Sequence, residues 1–208
     1  TPGHSGGAGS DGTLKFGSAA FDFDPSDGIT PGTYDFVGVT LHELAHNMGF
    51  ISGVDTMSVL FGGVPFVPPG DPDTAVMVTT LDLFRYSAFS ASFPGYIPDL
   101  SLPVPGPPPT RFFSIDGGLS VIEEFSTGTA LAGDGEQAGH WKSDAMFGLM
   151  DPTLGAGFAL TDAFDALVAD GAFADYIALD VIGWTPVPTP STFSIVGLAG
   201  VALLRRRR

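Results

Sequence analysis

No cysteine occurs among the 208 residues. Disulfide frameworks, thiol nucleophiles and metal sites built on thiolates are therefore excluded, although the compartment stays open because secreted proteins without disulfides exist. Bases are nearly as scarce. Of the eight Lys and Arg, four are Arg205 to Arg208, and the rest of the chain holds only Lys15, Arg85, Arg111 and Lys142 against 23 carboxylates. So few bases cannot form the cationic face that phosphates require, which excludes nucleic acid as a partner. A leader of the basic-then-apolar kind is missing from the start, and no Met precedes Thr1. The expectation is of a processed or truncated product.

What is present suffices for a folded body. Apolar residues make up 44% of the chain and include 18 Phe, enough to bury a core. The length fits one domain with a short appendage. The 29 Gly and 18 Pro point to a loop-rich α+β protein rather than a helical bundle.

Residues 1–12 are small and polar and read as a flexible arm, with the folded domain spanning 13–184. Alternating runs at Leu14–Phe16 and Ala20–Phe23 predict strands of a half-buried sheet. Between Thr33 and Phe50 the spacing turns helical: Phe36, Val37, Val39, Leu41, Leu44, Ala45 and Met48 cover one wide apolar face, and Gly49 stands where a C-terminal cap belongs. Proline density makes long loops of Pro65–Pro72 and Pro94–Pro109, the second with a stiff Pro107-Pro108-Pro109 piece. Arg111–Ile115 and Leu119–Phe125 predict a hairpin around Asp116-Gly117-Gly118. Helical stretches follow at Thr161–Val168 and Tyr176–Ile182, the last stopping at Gly183.

The end of the chain differs in kind. Residues 185–192 form a Pro-rich linker, and residues 193–208 comprise the apolar run Phe193–Leu204 and the four arginines. As a helix that run would be about 18 Å long, short of the ~30 Å hydrocarbon core of a bilayer. It has no polar face and ends in charge, which fits a marginal membrane segment with a basic cytoplasmic flank better than a buried terminal helix.

The chemistry concentrates in His42-Glu43-Leu44-Ala45-His46. Histidines four apart on a helix stack on one face and can share one ion, and Glu43 lies close enough to reach a water on that ion without displacing it. A catalytic zinc takes three protein ligands and keeps one open position. No Glu stands between Glu43 and Glu123, so a carboxylate ligand on a second helix some twenty residues on is ruled out. The metzincin extension is only half present: Gly49 is there, but Ser52 occupies the position of the third His, and Asp55 sits three residues beyond it. His4 lies in the arm. His140 remains.

His42–Phe50, followed far downstream by His140-Trp141-Lys142 and then Met150, resembles leishmanolysin, a metzincin relative. That resemblance implies His140 as the third zinc ligand and Met150, in Gly148-Leu-Met-Asp-Pro152, as a structural floor beneath the metal. The segments Phe50–Asp55, Leu81–Arg85, Gly133-Asp-Gly135 and Leu179–Trp184 are similar to a bacterial family of metalloproteases that carry a PEP-CTERM-type sorting signal. Val187-Pro-Thr-Pro-Ser191, the apolar run and Arg205–Arg208 are similar to that signal, with Thr189 where it usually has Glu. The resemblance covers residues 13–184 and the tail.

What it implies is an α+β fold of the zincin or metzincin kind with an active-site helix and a Met turn. The implied activity is zinc-dependent cleavage of peptide or protein substrates, with His42, His46 and His140 on the metal and Glu43 as general base. The implied setting is the bacterial envelope or exterior, with an exosortase-like transpeptidase acting on the tail and membrane contact only through 193–208. Two rivals share these residues: a surface-displayed protein that keeps zinc for stability without turnover, and a zinc amidohydrolase acting on a non-peptide amide. Among lesser candidates, Asp134 and Asp151 lie in Gly-rich loops that read as turns rather than calcium sites. Trp141 and Trp184 read as core anchors, and Tyr86, Tyr96 and Tyr176 as candidate oxyanion donors whose default role is packing.

Overall fold

The computed structural model describes residues 12–61, 78–103, 110–129, 132–142, 148–159 and 174–185. These form a mixed α/β structure with four α-helices and two small sheets. The arm up to residue 11, the Pro65–Pro72 loop, Pro107–Pro109, the Thr161–Val168 stretch and the tail from residue 186 lie outside the described residues. No helix among the described residues is long and apolar enough to cross a membrane.

The first sheet is a parallel pair, β1 (Phe21–Asp22) and β2 (Tyr34–Asp35), with Phe21 opposite Tyr34 and Asp22 opposite Asp35. The expected strand over Ala20–Phe23 thus shrinks to two residues, and Leu14–Phe16 forms no ladder. Alternation gave these runs a face, but a strand also needs a partner at its edge, and only Phe21–Asp22 meets one. Asp22 fastens the intervening loop by accepting from the Thr30 amide at 2.8 Å and its hydroxyl at 2.6 Å.

β2 leads straight into α1 (Phe36–Asn47). The fully buried Asp35 carboxylate caps the helix by accepting from the Gly38 amide at 3.0 Å. At the other end Gly49 adopts φ +107°, the Phe50 amide reaches back to the Ala45 carbonyl, and the Gly49 amide to that of His46. This is a Schellman closure, with Phe50 and Ala45 both in the core. The wide apolar face expected of this helix is buried only in part: Gly38 and Ala45 are buried, whereas Leu41 and Leu44 are 41% and 43% exposed. The helix is held by one narrow stripe and by its ends.

After α2 (Gly53–Phe61), β3 (Arg85–Tyr86) and the short α3 (Ala88–Ala91), the predicted hairpin appears as β4 (Arg111–Phe113) and β5 (Glu123–Phe125). It pairs antiparallel with Phe112 opposite Glu124, and β3 joins β4 as a third strand that the sequence did not announce. Trp141 bridges to Phe125 and so brings the His140 segment onto this sheet. The core comprises Ala45, Phe50, Leu81, Phe113, Phe125, Trp141, Met150 and Ala178. Trp141 stands at its centre, with ring centroids 4.9 Å from Phe125 and 5.0 Å from Phe50.

The last helix, α4 (Ala174–Val181), ends as α1 does, with Gly183 at φ +112° and the Trp184 amide bonded to the Leu179 carbonyl. Trp184 is not the core anchor it was expected to be. It is 47% exposed, and its indole N–H donates to the Met48 carbonyl at 2.7 Å, tying the two helix ends together.

Candidate metal centre

Helical spacing puts His42 and His46 on one face of α1, with ring centroids 4.8 Å apart. His140 comes from a turn 94 residues beyond His46, and the chain brings it to the same point. Its Nε2 lies 3.1 Å from that of His46 and 3.2 Å from that of His42. Two nitrogens bound at the usual ~2.0–2.1 Å to a tetrahedral ion stand about 3.3–3.4 Å apart. The spacing therefore suits ligands sharing one ion.

The other ring nitrogens decide the protonation. His42 Nδ1 is 2.7 Å from the Leu149 carbonyl, His46 Nδ1 is 2.7 Å from that of Phe50, and His140 Nδ1 is 3.3 Å from that of Gln137. A carbonyl oxygen only accepts, so each Nδ1 carries the proton and a neutral ring then presents a bare lone pair at Nε2. Three such nitrogens, all within 4.8 Å of one another, cannot hydrogen-bond to each other through lone pairs alone. A cation satisfies them, so His42, His46 and His140 form a group that can hold a metal ion. Burial keeps the His140 and His42 rings neutral as well. His140, 7% exposed, has its pKa lowered to about 4 by desolvation and by the neighbouring His46 and His42. That of His42 is lowered mainly by desolvation.

Glu43 is exposed on α1, and its charge acts on the adjacent His42 ring. Met150 is fully buried in the core and is not a member of the histidine group. Its turn serves the site through the backbone: Leu149 supplies the carbonyl for His42, and Met150 accepts from the Trp141 amide at 3.0 Å.

Ser52 and Asp55, weighed as third ligands and set aside, have other tasks. The Ser52 hydroxyl donates to Asp82 at 2.6 Å, and Asp82 also accepts from the amides of Gly53 and Thr79. Asp55, in the first turn of α2, accepts from the amides of Ala138 at 2.6 Å and Gly139 at 2.9 Å, fastening the turn that carries His140. Desolvation raises the Asp55 pKa. Arg85, buried and lowered by desolvation to about 10, donates to the Ala138 carbonyl at 3.1 Å and that of Ser126 at 2.7 Å. Gly139 is required by close approach: a Cβ there would meet the Ile51 Cα and the Ser52 amide, both at 3.2 Å.

Asp175 does the corresponding work for the Met turn. It accepts from the Trp141 indole at 2.7 Å and from the amides of Leu149 at 2.8 Å and Met150 at 3.3 Å. Its pKa is raised by desolvation. Sequence reasoning missed Asp175 altogether, met Asp82 and Arg85 only as members of the Leu81–Arg85 segment with no role assigned, and gave Asp55 no role beyond that of a rejected ligand. The available signal was an Asp in the first turn of α2 and of α4.

The remaining candidates fall into structural roles. Asp134 accepts from the Thr127 amide at 2.9 Å and Asp151 from the Thr153 amide at 3.1 Å, as turn caps do. Tyr86 is buried beside Phe112, its hydroxyl directed at the Leu83 carbonyl, while Tyr96 and Tyr176 are exposed. Comparison of the chain with protein-family models, with curated proteins and with solved structures finds no match.

Proposed function

We propose that this protein is a zinc-dependent endopeptidase with a catalytic domain of the zincin or metzincin kind. The observation that carries the reading is the approach of the ligand nitrogens of His42, His46 and His140 to within 4.8 Å of one another, two of them on the helix where the exposed Glu43 follows His42. Zinc is favoured by the donor set, three neutral imidazoles with a position left open and no thiolate. Bound there, zinc supplies a Lewis acid for the scissile carbonyl and acidifies water toward a pKa of about 7.

The chain's own groups do the rest. His42, His46 and His140 hold their Nδ1 protons on backbone carbonyls and keep Nε2 free. Glu43 accepts a proton from the attacking water and delivers it to the leaving amine, a role for which its exposure beside the histidines suits it. A site kept for stability alone has no use for that carboxylate, which favours turnover over a structural role. The tail sequence supports a further part of the reading, export to a bacterial envelope with the transpeptidase acting near Pro188–Pro190.

Glu43→Gln tests the mechanism. It should keep zinc at the level of the unaltered protein and lose casein or quenched-peptide cleavage by several orders of magnitude. Chelation should abolish the activity of the unaltered protein, and zinc should restore it. Normal cleavage by zinc-loaded Glu43→Gln would remove Glu43 as the base.

A further inference from the structure

Two of the three histidines are held by a peptide group that is itself held by a carboxylate. His140 Nδ1 donates to the Gln137 carbonyl at 3.3 Å, and the N–H of that same peptide, on Ala138, donates to Asp55 Oδ1 at 2.6 Å. His42 Nδ1 donates to the Leu149 carbonyl at 2.7 Å, and the N–H of that peptide, on Met150, donates to Asp175 Oδ1 at 3.3 Å. In each case the other carboxylate oxygen takes a neighbouring amide, Gly139 at 2.9 Å or Leu149 at 2.8 Å. The two arrangements come from different helices and are alike in their bonding.

We propose that Asp55 and Asp175 are positioning residues of the metal centre, each acting through one peptide group on one histidine, Asp55 on His140 and Asp175 on His42. A carboxylate on the N–H end of an amide draws negative charge toward its carbonyl oxygen and strengthens the bond that oxygen accepts. The imidazole proton is thereby fixed on Nδ1, and Nε2 becomes the better donor to a metal, as when a carboxylate bonds a ligating histidine directly. Three neutral imidazoles leave a divalent ion with its full charge, and burying charge is costly without a counter-charge. Asp55 and Asp175 supply two negative charges around the site. This inference rests on the reading of the histidines as a metal site and does not require peptidase activity.

The test uses the full chain with two readouts: zinc affinity by competition with a chromophoric chelator, and the exchangeable Nδ1–H resonances of the zinc-loaded, 15N-labelled protein. Asp55→Asn and Asp175→Asn should each weaken zinc by about 10- to 100-fold. Asp55→Asn should shift the His140 resonance and spare that of His42, and Asp175→Asn should do the reverse. Ser52→Ala, which removes a bond to Asp82 close to the same turn, should change neither readout.

Should either Asn variant fail to fold, Asp55→Glu and Asp175→Glu keep each charge and displace the same two contacts by one methylene. Each should move its own histidine resonance and weaken zinc more mildly. Folded variants that bind zinc like the unaltered protein, or that shift both resonances together, would overturn the assignment. An unaltered protein that binds no zinc would overturn the metal reading and this inference with it.

Discussion

A neutral imidazole has one proton and one lone pair, so the partner of one nitrogen determines what the other can do. In His42, His46 and His140 the proton is committed to carbonyls that cannot give one back. The same economy of partners governs Asp175, whose buried carboxylate has three donors, the shortest bond coming from Trp141. Trp141→Phe removes that donor and one ring of core packing with it. Leaving a buried acceptor short of a partner costs about 1–3 kcal/mol and the lost packing adds to it, so urea unfolding should show a loss of at least about 1 kcal/mol. Stability within ~0.5 kcal/mol of the unaltered protein would mean that Asp175 is satisfied without the indole.

Helix ends were legible in the sequence because their rules are local. Gly49 and Gly183 stand where the helical spacing stops, and both take positive φ in Schellman closures. Gly49→Ala should cost roughly 1–2 kcal/mol through the backbone alone, since its Cβ would meet only the Ile182 Cδ1, at an ordinary 3.7 Å. Thermal unfolding with zinc content as a control would measure this, and an unchanged melting point would contradict it. Strands were less legible. Each is two or three residues long, and its limits are set by a partner elsewhere in the chain, as Phe21–Asp22 are by Tyr34–Asp35.

The β4–β5 turn, by contrast, was readable from Asp116-Gly117-Gly118, and it carries a pH dependence. Bonds from the side chain of Ser120, then the hydroxyl of Ser114 and the Ser120 amide, lower the Asp116 pKa from 3.8 to about 2. A depressed acid stabilises the folded form above its unfolded pKa, and that contribution is lost as pH falls from near 4 through about 2. An NMR titration of the Asp116 carboxyl should therefore find a midpoint well below 3.8, with the Ser120 amide shifting in step. A midpoint at the ordinary value would contradict the bonding described.

Across the whole molecule, the legible part of the site was the part written within one helix. His42 and His46 follow from spacing, and His140 was reached by elimination among four histidines together with the resemblance to leishmanolysin. Asp55 and Asp175 were not legible, because a carboxylate that acts through backbone amides, in one case 83 residues away, leaves no pattern of residue types. The tail makes a separate prediction, read from sequence alone. In a Gram-negative host with the sorting machinery, mature protein should lack the residues beyond about Pro188–Pro190, and mass spectrometry finding Arg208 on exported protein would contradict this. The central claim, that three histidines from two distant segments share one ion, is tested most directly by zinc titration of the unaltered protein beside His140→Ala. The unaltered chain should bind one zinc tightly, and His140→Ala should bind it about 10- to 100-fold more weakly or worse while remaining folded. Equal zinc affinity in the two proteins would contradict the shared site.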